Sequence, residues 1–131
     1  MPDTALKMDH VTLLVSSFER SMPYYAALLP LIGFHEERPR IWTNGEGFFF
    51  QFLEARPETR PYERYGAGMN HLGFSAPSRD FVEHVRAQME QAGFPVPETQ
   101  QLGGALALFM KDPDGIRFEI THYPPGANVV G

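Results

Sequence analysis

From His10 to Val15 the chain alternates, with Val11, Leu13 and Val15 on one side of an extended backbone and His10, Thr12 and Leu14 on the other. Period-two spacing with β-branched residues predicts a strand over residues 8–15. The period then lengthens: Phe18, Met22, Tyr25, Leu29 and Ile32 fall on one helical stripe. Ser16 and Glu19 stand at capping-box spacing ahead of it. Pro23 predicts a kink, because it removes a backbone hydrogen bond, and Pro30 with Gly33 ends the helix. Two or three strands follow between Phe34 and Ala55. Asn44-Gly45 is a hairpin signal between residues 40–43 and 47–53. In the second of these strands Phe48, Phe50 and Phe52 share a face, and Phe49, Gln51 and Leu53 share the other.

The pattern then restarts. Asn70-His71-Leu72-Gly73-Phe74-Ser75-Ala76 repeats the polar-His opening of Asp9-His10-Val11. His71, Gly73 and Ser75 form one face; Leu72, Phe74 and Ala76 form the other. Ser78 caps a second helix whose buried stripe is Phe81, Val82, Val85, Met89 and Ala92, and Gly93 stops it. A short or irregular strand is expected within residues 94–104. Residues 105–110 and 116–121 then flank Asp112-Pro113-Asp114-Gly115, a turn with Pro and Gly suitably placed. The histidines are 61 residues apart and the helix-ending glycines 60, so the copies align with one gap. Self-similarity over half the chain marks a duplicated module.

The expected fold is therefore α+β: two tandem βαβββ modules forming a cupped, mostly antiparallel sheet in a single domain over residues 1–131. Module 1 covers about 8–55 and module 2 about 69–123. Residues 56–68, with two prolines, two glycines and five charges, read as a solvated linker, the alternative being that the basic side chains of Arg56–Arg64 cap the pocket and receive an acidic substrate. The tail from Pro124 is expected to be loosely attached.

Composition narrows the function classes. At 131 residues and 43% apolar content there is enough chain for one core. A net charge of −5 argues against a nucleic-acid binder, which would show a clustered basic footprint. No apolar run reaches the roughly 18 residues of a membrane span, and residues 1–5 lack the look of a signal peptide, so a cytoplasmic address is expected. With no cysteine, any metal must be held by His, carboxylate or amide ligands.

Each helix covers only one face of its strands. If the helices cover Phe50/Phe52 and Phe118/Ile120, then Gln51, Glu119, His10 and His71 point to the opposite, concave face. A pseudo-twofold between the modules is expected to gather all four, the modules pairing either within the chain or with those of a second chain to give composite sites. Phe49, Leu53 and Trp42, with Tyr62, are candidates to line an apolar pocket or a dimer seam. His35, His84 and His122 have no matched partners and read as surface residues.

These stretches, together with Tyr24-Tyr25 through Gly33-Phe34 and Asp112 through Ile120, resemble the vicinal oxygen chelate superfamily. It contains glyoxalase I, extradiol dioxygenases, fosfomycin-resistance thiol transferases and bleomycin-binding proteins. The resemblance implies one divalent metal ion (Zn, Ni, Mn, Fe(II) or Co) held by His10, His71 and Glu119. Gln51 stands where glyoxalase-like members carry a fourth ligand, usually glutamate. Because an amide cannot accept a proton, Glu119 is left as the catalytic base. The implied activity is that of a metal-dependent enzyme on a small oxygen-chelating substrate, a lyase or isomerase of lactoylglutathione lyase type. The alternatives are an extradiol-type dioxygenase and a non-catalytic binding protein of bleomycin-resistance type. A homodimer is expected, with a small-molecule substrate and neither nucleic acid nor membrane as partner.

Overall fold

The computed structural model describes residues 4–127. In the first module, strand β1 (His10–Val15) leads into helix α1 (Phe18–Leu31), followed by β2 (His35–Arg38), β3 (Ile41–Thr43) and β4 (Phe49–Glu54). The second repeats the order with β5 (Leu72–Ser75), α2 (Arg79–Gln91), β6 (Gln100–Leu102), β7 (Ala105–Lys111) and β8 (Arg117–His122). Each module makes its own four-stranded sheet, ordered β1-β4-β3-β2 and β5-β8-β7-β6. The first strand pairs parallel to the last, and the other ladders are antiparallel. The first strand thus lies at a sheet edge in both copies.

The duplication extends to the way the helices end. Gly33 and Gly93 adopt φ of +93° and +94°. The next residue's amide reaches back five positions, Phe34 N to Leu29 O at 2.9 Å and Phe94 N to Met89 O at 3.1 Å. This six-to-one closure needs a residue free to adopt left-handed φ, which glycine does without steric cost.

The helix starts differ from each other. Ser78 caps α2 as expected, accepting from Phe81 N. For α1 the cap is Ser17, which accepts from Arg20 N, and not Ser16. Long-range partners make that choice: Ser16 N donates to Asp114 Oδ2 and Phe18 N to Glu54 Oε2. Helix α1 runs through Pro23 and Pro30 to Leu31. The β3–β4 connection is longer than a two-residue hairpin. Thr43 pairs with Phe49, and the Asn44 side chain accepts from Glu46 N and Phe48 N.

One core joins the modules. Tyr25, Leu28, Phe50, Val85, Met89 and Phe118 are fully buried. Tyr25 lies 5.7 Å from Phe118 between ring centroids, and Phe50 lies 6.4 Å from it. Burial of such side chains contributes roughly 1.5–3 kcal/mol each. The helix-facing sides of both sheets are spent on this shared core, which leaves each opposite face open. Ala92, expected in the buried stripe of α2, is exposed, since the chain turns away at Gly93. His122 is half-buried, with Nδ1 3.2 Å from Ala76 O, and so departs from the surface reading, whereas His35 and His84 are exposed. Asn128 and the residues after it, the end of the expected loose tail, lie outside the described residues.

Candidate active site

On the open face of the second sheet, β8 carries Arg117, Glu119 and Thr121, with Phe118 and Ile120 turned into the core. Gly73 pairs with Glu119 and Phe109 pairs with it from the other side. His71, just ahead of β5, brings Nε2 to 3.1 Å from Glu119 Oε1. Thr121 donates its hydroxyl to Glu119 Oε2 at 2.5 Å. The His71 Nδ1 lies 2.8 Å from Asn70 Oδ1, and Asn70 Nδ2 donates to Arg64 O at 3.0 Å. The linker thereby anchors the residue that orients the histidine. A cavity of about 450 Å³ opens over His71, Glu119, Phe109, Thr121 and Tyr123.

The first module repeats this plan in part. His10 Nδ1 lies 2.6 Å from Asp9 Oδ2, and its ring stacks on Phe49 at 4.9 Å. Thr12 lies across from Gln51 and donates to its Oε1 at 3.4 Å. His10 and Gln51 thus share the open face of their sheet, one cross-strand pair apart. Leu14 and Leu53 continue that face and floor a cavity of about 550 Å³ walled by Arg56, Arg60 and Tyr62. The linker is therefore docked and lines a cavity, and is not merely solvated. Tyr62 secures it, donating toward Met69 O and Asn70 O.

Trp42 requires a correction. It pairs with Phe50, is 7% exposed and belongs to the core. It cannot line a pocket with Phe49 and Leu53, because cross-strand partners point to the same face and Phe50 faces inward.

The four polar residues fall into two pairs, His10 with Gln51 and His71 with Glu119. Among the described residues, no three His, Cys, Asp or Glu side chains come close enough to hold a metal ion. The expected gathering of all four does not occur within one chain, because the modules meet through their helix-covered faces.

The donor chemistry of each pair suits a borderline metal. In both histidines Nδ1 faces a side-chain oxygen of the preceding residue, which leaves Nε2 as the available donor. Two donors each roughly 2.1 Å from one ion lie about 3.0 Å apart at a right angle and about 3.4 Å apart at a tetrahedral angle. The His71–Glu119 separation of 3.1 Å falls in that range. Asp9 and Asn70 were not singled out as orienting residues in the sequence. Their signal was the polar residue ahead of each repeated histidine.

Residues 7–120 match the model of the Glyoxalase/Bleomycin resistance protein/Dioxygenase superfamily. The chain belongs to this superfamily. A superfamily relative, Glyoxylase I 4 of Arabidopsis thaliana, is 30% identical over 132 residues, covering 88% of this chain and 70% of that protein. Among solved structures, a glyoxylase/bleomycin resistance protein/dioxygenase domain from Frankia sp. EAN1pec superposes with a TM-score of 0.75 at 22% identity, covering 95% of this chain and 96% of that one. A lactoylglutathione lyase from Agrobacterium tumefaciens superposes with a TM-score of 0.63 at 20% identity, covering 92% and 95%. At these identities the structural likenesses establish the superfamily fold alone. No helix among the described residues is long and apolar enough to cross a membrane.

Proposed function

We propose that two copies of this chain form a divalent-metal enzyme acting on a small molecule with adjacent oxygens, as a lyase or isomerase. Superfamily members typically use a divalent metal and act on small molecules. In this reading His71 and Glu119 of one copy complete a ligand set with His10 and Gln51 of the other. The observation that carries it is the matched anchoring of His10 and His71 through Nδ1, with Glu119 3.1 Å from the free nitrogen of His71. Assembly of two copies is supported by the edge positions of β1 and β5. Exposed apolar residues on the open faces support it further: Leu14 is 52% exposed, Leu53 44% and Leu102 46%.

A bound ion would supply Lewis-acid polarisation of the substrate oxygens. The protein's own groups do the rest. Glu119 is the sole carboxylate of the set, so it accepts the proton from a carbon beside the polarised carbonyl and returns it to the neighbouring carbon. Thr121 holds one carboxylate oxygen in place. Gln51 contributes at most a carbonyl oxygen. Phe109 and Tyr123 wall the cavity and limit water around the transferred proton.

The test is complementation between two inactive variants. His10→Ala and His71→Ala chains should each fail to bind Zn or Ni in calorimetric titration. A refolded mixture should recover one intact site in each heterodimer, because one side of it keeps both histidines. A mixture that recovers no binding would refute the shared site, and wild-type affinity in either variant alone would refute the ligand assignment.

A further inference from the structure

Beyond Glu119 the open face of the second sheet carries an unbalanced charge. Lys111 and Arg117 are direct cross-strand partners at the start of the β7–β8 hairpin, so both side chains leave the same face. Like charges directly opposite each other destabilise a sheet. Among the described residues neither has a carboxylate within salt-bridge distance. The adjacent acid, Asp112, is occupied elsewhere: Oδ2 accepts from Tyr25, and Oδ1 from the amides of Asp114 and Ile116. Asp114 accepts from Ser16 N. Arg117 also holds its Nε out of solvent with no hydrogen-bond partner. A buried unsatisfied donor is costly, and a charged one more so.

The pair faces a cavity of about 720 Å³ bounded by Phe109, Lys111, Arg117, the Pro95–Pro97 segment and Asp112, whose carboxylate oxygens are engaged by Tyr25 and by the amides of Asp114 and Ile116. Phe109 also lines the cavity over His71 and Glu119, so the two spaces adjoin across one aromatic ring. Arg117 stands two residues before Glu119 on the same strand face, a spacing of about 7 Å.

We infer that Lys111 and Arg117 are a specificity site for a carboxylate on the substrate. The acid group is held by the guanidinium edge and the ammonium, an apolar body lies over Phe109, and the reacting oxygens reach Glu119. A carboxylate fits because the planar guanidinium can offer it paired donors, with the Lys111 ammonium beside them. This inference rests on the proposed function for the placement of the reacting end, whereas the binding of the acid group is independent of metal.

The experiment titrates metal-free protein with 3-phenylpropanoate and, separately, with its uncharged amide. The carboxylate should bind about tenfold more tightly, a difference expected of one charge-assisted contact. Its advantage should shrink with added salt and disappear in Arg117→Gln and in Lys111→Gln. Lys111 is exposed, so its variant tests the site even if Arg117→Gln fails to fold. Equal affinities for acid and amide, no binding of either at millimolar concentration, or an advantage that survives in Lys111→Gln would overturn the inference. Zn titration of the unmodified protein is read separately. Loss of metal binding with retained acid preference would refute the proposed function and leave the carboxylate site standing.

Discussion

Tyr25 and Asp112 join α1 to the hairpin that carries Glu119, and Tyr25→Phe removes their bond with almost no change of shape. The phenol donates to Asp112 Oδ2 at 2.6 Å, with Tyr25 0% exposed and Asp112 5%. A hydrogen bond to a charged group contributes about 1.5–3 kcal/mol. Here the deletion also leaves a buried carboxylate oxygen without that donor, so the upper part of the range is expected. For a chain of this size that is a fall of very roughly 6–12 °C in melting temperature. The effect must also depend on pH. Burial pushes the Asp112 carboxyl above its ordinary value, while the bonds from Tyr25, Ile116 N and Asp114 N pull it down. A carboxyl with a raised folded-state pKa binds protons in the native state before the unfolded chain does. Stability therefore falls as pH rises from the ordinary carboxylate range through the raised value, and this contribution is flat above it. Tyr25 stabilises the ionised form, so Tyr25→Phe should cost most at neutral pH and progressively less toward about pH 4. Urea denaturation of both proteins across that range measures this. A cost below about 0.5 kcal/mol at neutral pH, or one that grows on acidification, would refute the reasoning.

Three further outcomes follow from the site. Asn70→Ala frees His71 Nδ1 and detaches the Arg64 carbonyl, so metal affinity should drop about 10–100-fold in calorimetry; unchanged affinity would show that the anchor is idle. Asp9→Ala should cost less, since the Asp9 side chain is 74% exposed. Lys111→Gln removes a like-charge cross-strand pair and should stabilise the fold by a few tenths of a kcal/mol in denaturant titration, a gain that vanishes at high salt.

Much of the architecture is local and was readable. The repeat of Asp9-His10 in Asn70-His71, the Gly-Phe helix ends and the alternation through Phe48–Phe52 depend on neighbours along the chain, and the strand parity that turns Gln51 and Glu119 away from the core follows from them. The orienting role of Asp9 and Asn70 was present in the same repeat, needing only the one-residue proximity to each histidine. What escaped was set by contacts distant in sequence. Ser17 prevails over Ser16 as a cap because Glu54 on β4 and Asp114 in the β7–β8 turn approach from far along the chain. Trp42 is a core residue because its register against Phe50 decides which face it joins, and three residues of strand carry too little pattern to fix that. The linker's docking rests on Tyr62 reaching the carbonyls before His71. Above all, alternation assigns His10, Gln51, His71 and Glu119 to open faces but says nothing of how two similar modules pack. The aromatic core between Phe50, Tyr25 and Phe118 made that choice, and it divided the four residues into two separate pairs.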